Sequence, residues 1–195
     1  MIGDQFITVA VTHASGQVSR VQILSRCALQ RFSVDAAIAS GYRQEGNEWV
    51  FVNNPSNIGR AVHAQQYPTH VNVGGGIGED ATFVETGPVV SWRVVQPEDF
   101  PDADYKNAWV DDGVTITHDK AQSRELCRQH VRYMRETQFK RLDGSRAQAV
   151  REGNFARIAE IDAEAQRWAD APADPRIEAA QSVAELKAIT FERSR

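Results

Sequence analysis

Residues 97–143 read PEDFPDADYKNAWVDDGVTITHDKAQSRELCRQHVRYMRETQFKRLD, and this stretch decides the fold. It opens as a proline- and acid-rich connector, passes Trp109 and turns into a long basic helix. Two prolines hold their preceding residues extended. Six acids between Gln96 and Asp112 keep the backbone at the surface. Phe100, Tyr105 and Trp109 each have a large apolar area to bury, so the connector is expected to lie against a surface through these rings. Val114 and Ile116 add one short strand. Thr117 or Asp119 then caps a helix expected to run to about Val150.

Upstream of this stretch the pattern has period two. Ile7, Val9 and Val11 alternate with Thr8, Ala10 and Thr12, which marks a half-buried strand. After the turn at 13–16, residues 17–24 alternate again and complete a hairpin. Ser33 caps a short helix over 34–40, and Gly41 ends it. A second hairpin signal lies around Glu45-Gly46-Asn47, with Trp49 and Phe51 on one face. A further helix is expected from Ile58 to about Gln66, and extended pieces at Val71–Val73, Phe83–Val84 and Val89–Val95. The first half therefore reads as a small antiparallel β-rich α+β domain.

Downstream the period is helical. Cys127, Val131, Met134 and Leu142, with Leu126 and Ala149, form a thin apolar stripe. Arg124, Arg128 and Arg132 lie four apart on another face, with Arg135 close by. Glu152-Gly153-Asn154 is a turn into a second helix over 155–169, expected to bury Phe155, Ile158, either Ile161 or Ala165, and Trp168. The pair makes an antiparallel helical hairpin. Asp174-Pro175 and Ser182-Val183-Ala184-Glu185 open two short helices. The expected organisation is a β-rich α+β domain over 1–95, a connector over 96–118, and the helical hairpin with short C-terminal helices over 119–195.

Charge is sorted along the chain. Residues 1–117 carry seven Lys/Arg against thirteen Asp/Glu, whereas residues 118–195 carry fifteen against thirteen. The Arg row suits ion pairs with the connector or an adjacent subunit better than phosphate, because the chain as a whole is acidic and the row lacks interleaved stacking aromatics beyond Tyr133. Nucleic acid is thus not the expected partner. No apolar run approaches the ~18 residues of a membrane span, and the first residues lack the pattern of a signal peptide.

Chemical motifs are sparse. Gly74–Gly78 lacks the Lys-Ser/Thr of a phosphate loop and runs into Glu79 and Asp80, so it reads as a plain loop. The five histidines include no pair at i,i+4, and His63 and His70 lack a metal-ligand pattern. Cys27 and Cys127 lie one in each half, as buried reduced thiols. Cys127 and His130 at i,i+3 fit ordinary helix spacing as well as a reactive pair. No metal, cofactor or catalytic residue is assigned.

One likeness adds context. Phe100-Pro101, Asp104-Tyr105, Ala108-Trp109, Asp112-Gly113, His118-Asp119 and Leu142-Asp143 resemble a C-terminal module found in proteins of tailed bacteriophages and prophages. The likeness continues through Trp168-Ala169-Asp170, Ala173–Ala180 and Glu185-Leu186-Lys187-Ala188, covering residues 91–189. The module's usual Arg-Asp-x-Pro step stands here as Ala169-Asp170-Ala171-Pro172, which still stops the helix. The resemblance implies a non-enzymatic structural protein of the virion, assembled in the host cytoplasm, in the tail, baseplate, neck or fibre attachment. It would act through contacts with other phage structural proteins and as a homo-oligomer. The alternative is a tail-fibre assembly chaperone. The expected contact residues are Phe100, Tyr105, Trp109, Arg124, Arg128, Arg132, Arg135 and Trp168.

Overall fold

The structure, a computed structural model, describes residues 6–74 and 82–189. Most of the Gly74–Gly78 loop and the tail 190–195 therefore lie outside the described residues. The fold is α+β, with an N-terminal antiparallel β region followed by a helical region. The described residues divide into two compact units. One holds 6–71 and 84–117; the other holds 72–74, 82–83 and 118–189.

In the first unit, β1 (Phe6–His13) pairs antiparallel with β2 (Val18–Leu24), from Phe6 opposite Leu24 to Thr12 opposite Val18. On its other edge β1 pairs antiparallel with β8 (Val89–Val95), with a register shift at Thr12/His13. A second sheet has the order β3 (Arg26–Ala28), β5 (Glu48–Phe51), β4 (Tyr42–Glu45). The β3 strand is too short for its period to show in sequence. Strands β6 (His70–Gly74) and β7 (Thr82–Glu85) pair with each other.

The two faces of the first sheet are used differently. Val9, Val11, Val21 and Ile23 point into the main core, where they meet Tyr42, Trp49, Phe51, Ile58 and Val62. Alternation sends Ala10 and Val18 to the opposite face, into a second core with Val95, Phe100, Trp109 and Ile116. Two helices complete the main core. In α1 (Val34–Ala39), Ser33 Oγ accepts from Ala36 N at 3.3 Å. In α2 (Pro55–His63), Asn54 Oδ1 accepts from Asn57 N at 2.9 Å. The α2 helix starts earlier than the apolar spacing indicates, because Asn54 supplies the cap and Pro55 tolerates the first turn. Gly41, at φ 89°, lets the chain pass close to α2: a Cβ there would stand 2.9 Å from Asn57 Cγ.

The connector is part of the first unit and not a separate body. It contains 3-10 turns at Pro97–Asp99 and Ala103–Ala108, then β9 (Trp109–Asp111) paired with β10 (Ile116–His118). The expected single strand is thus a two-stranded ribbon.

The second unit is built on α3 (Lys120–Arg151), whose Asp119 carboxylate accepts from Gln122 N at 2.6 Å. Gly144 does not interrupt it. Antiparallel to it runs α4 (Phe155–Asp170), capped by Asn154. Buried Leu142 and Ala149 on α3 and Ile161 and Trp168 on α4 form the seam. Arg141–Glu164 at 2.5 Å and Arg146–Asp162 at 2.8 Å bridge the pair. The expectation that Phe155 is buried is wrong: it is 81% exposed, because the turn leaves the first residue of α4 nothing to pack against. After a 3-10 turn at Ala171–Ala173 come α5 (Pro175–Ala179) and α6 (Val183–Ala188), capped by Asp174 and Ser182.

Candidate functional site

The connector's rings grip this chain's own sheet. Phe100 and Trp109 are both buried, with ring centroids 5.0 Å apart and planes at 49°. Arg20 of β2 lays its guanidinium over Phe100, 5.4 Å from the ring centre. The Trp109 indole N–H donates to Asp102 O at 3.3 Å. Tyr105 is half-buried. The connector is latched at its far end by Arg93 of β8, which reaches both carboxylate oxygens of Asp111 at 2.9–3.2 Å. The Asp111 side chain is only 5% exposed, so the pair is well shielded from water. Asp112 then closes the ribbon turn by accepting from Val114 N at 2.8 Å and Thr115 N at 2.7 Å. These backbone N–H groups hold its carboxyl below the usual range.

The arginine row is also spent inside the chain. Arg124 donates to Ala180 O through Nε at 3.2 Å and Nη2 at 2.8 Å, and pairs with Glu178 at 3.1 Å. Arg128 bridges Glu178 at 2.5 Å and Glu125 at 3.4 Å. Arg132 reaches Glu125 at 2.7 Å. Arg135 lies over Phe139, 5.9 Å from the ring centre, and its buried Nε has no hydrogen-bond partner among the described residues. Trp168 is buried in its own unit. The eight expected contact residues thus form two groups. Three rings sit in the first unit; four arginines and Trp168 sit in the second.

Other titratable groups are dispersed. Cys127 is buried, whereas His130 three residues on is exposed. His63 and His70 are both exposed, and among the described residues no three His, Cys, Asp or Glu side chains cluster in a way that suits a metal ion. His13 was not singled out by its sequence context. It is 1% exposed, with Nε2 2.9 Å from Ser19 Oγ and its ring edge-on to Tyr67 at 4.7 Å. Burial lowers its pKa, an effect the Gly87 backbone partly opposes. Its only sequence signal was its place in phase with Val9 and Val11.

A cleft of about 200 Å³ lies in the second unit. His118, Lys120 and Ser123 form one side, facing Ala180, Gln181, Ser182, Val183 and Leu186. Its two sides come from segments some sixty positions apart, and neither carries a local motif.

No family model, curated protein or solved structure matches this chain.

Proposed function

We propose that this protein is a non-enzymatic structural component of a tailed bacteriophage particle, in the tail, baseplate, neck or fibre attachment. It acts through protein–protein contacts and as a homo-oligomer within the assembly. The context comes from the likeness of residues 91–189 to the phage module. The observation that carries the contact reading is the hairpin tip. Phe155 at 81% exposure and Val150 at 54% flank the turn between α3 and α4. A two-helix hairpin bearing an exposed phenylalanine at its turn suits insertion into a partner's apolar pocket. The buried rings and paired arginines shape the two units, while the tip supplies the contact.

Mass spectrometry of purified particles tests this reading. The protein is expected among the virion components, and Phe155→Asp is expected to lower its incorporation while leaving the isolated protein folded. Absence from particles that still require the gene product for infectivity would favour the fibre-assembly chaperone. Absence without any such requirement would end both readings.

A further inference from the structure

We propose that the cleft between the start of α3 and the 180–186 segment binds an aliphatic carboxylate, of the kind presented by the C-terminal residue of a peptide ending in leucine or valine. Part of the lining is apolar: Ala180, Val183 and Leu186 are all buried. Lys120 and His118 also line it, and no carboxylate is among the lining residues. Apolar side chains beside one lysine ammonium are complementary to a short hydrocarbon group bearing one negative charge.

The size agrees. A cavity of ~150 Å³ accepts a benzene ring. The cleft, at about 200 Å³, has room for a leucine-sized side chain with its carboxylate at the mouth. Lys120 is exposed, and its ammonium makes a long 3.4 Å hydrogen bond to Gln181 Oε1, which a carboxylate can replace with a shorter charged one.

The wall is also fixed in advance. Arg124 clamps Ala180 O with two N–H groups. Gln181 N donates to Glu185 Oε2 at 2.8 Å, and the Gln181 side chain donates to Ala179 O at 3.0 Å. Glu185 N donates to Ser182 Oγ at 3.2 Å. Opposite, Ser123 Oγ is tied to Asp119 O at 2.7 Å. Such a wall needs little ordering when a ligand arrives. Arg124 and Arg128 thereby have a purpose that ion pairing alone leaves unstated: they hold the segment that forms the cleft.

The test is a titration of the full chain followed by amide NMR. The probes are the peptide Gly-Gly-Ser-Ala-Leu with a free C-terminus, the same peptide amidated, and N-acetyl-leucine. The free-acid peptide is expected to shift amides in 118–123 and 180–186 and to bind at least tenfold more tightly than the amide. Lys120→Gln, at an exposed position, is expected to remove most of that preference. Binding of N-acetyl-leucine as well as the acid peptide would assign a single acid as the ligand; binding of the peptide alone would assign a chain terminus. Equal binding of acid and amide, shifts outside the cleft, no binding by any probe, or an unchanged preference in Lys120→Gln would each overturn the proposal. Virion content does not enter this test, so it stands or falls apart from the particle reading.

Discussion

The connector of the first unit and the C-terminal segment of the second are both held down late in their unit's chain, but by different means. The connector is fastened by ring burial, with Phe100, Trp109 and Ile116 in a closed core and one shielded ion pair at Arg93–Asp111. The C-terminal segment is fastened at its outer side by ion pairs to Glu178, whose side chain is 65% exposed, and at its inner side by Ile177, which is fully buried. Apolar burial is insensitive to salt and scales with area, whereas exposed pairs are weak and screened. The difference teaches that conspicuous charge is a poor guide to what holds a segment in place.

The comparison breaks most readily at the rings. Trp109→Ala is expected to cost about 3–5 kcal/mol, read as a drop in urea midpoint, with little change in that loss at high salt. A loss under about 1 kcal/mol would mean that the connector contributes little to the first unit. Ile177→Ala is expected to cost about 2–5 kcal/mol and to loosen 174–189 in hydrogen exchange, which would place the hold on the C-terminal segment in its apolar side.

A smaller effect comes from His13, because protonation deletes no atoms. Its pKa is lowered in the folded state by burial, so the unfolded chain binds more protons in the window below the ordinary value of 6.5. The contribution of His13 to stability is then fully present above about pH 6.5. Its urea midpoint is expected to fall as the pH drops from there toward the folded-state pKa. His13→Gln is expected to flatten that slope, although its starting stability is lower. The smallest effect is at the clamp. Glu178→Gln is expected to cost at most about 1 kcal/mol, and the difference from the unaltered chain should fade in about 1 M salt. A larger or salt-resistant loss would show that the ion pairs carry more of the hold on the C-terminal segment than its buried side does.

Local signals carried far in this chain. The starts of α1 and α3–α6 follow from Ser33, Asp119, Asn154, Asp174 and Ser182, because a cap acts on N–H groups only two or three residues away. The large rings of the connector announced that they would be buried. They did not announce the surface, since Ala10 and Val18 lie some ninety positions upstream. The Arg row showed its charge and spacing but not Glu178 across the fold. Phe155 matched a buried position by helical phase alone, yet phase names a face and not what covers it. The cleft was invisible because its two walls come from separate segments.

The sequence by itself therefore determined the class of most elements, though not of β3 or β9, with most boundaries and the sorting of charge, all of which depend on neighbours within a few residues. Tertiary structure alone decided that both faces of the central strand β1 are buried, that the arginines turn inward, that Phe155 is left outside and that Lys120 stands beside a partly apolar cleft. Those outcomes depend on contacts between residues far apart in the chain, where burial and pairing are settled by whichever surfaces the fold brings together.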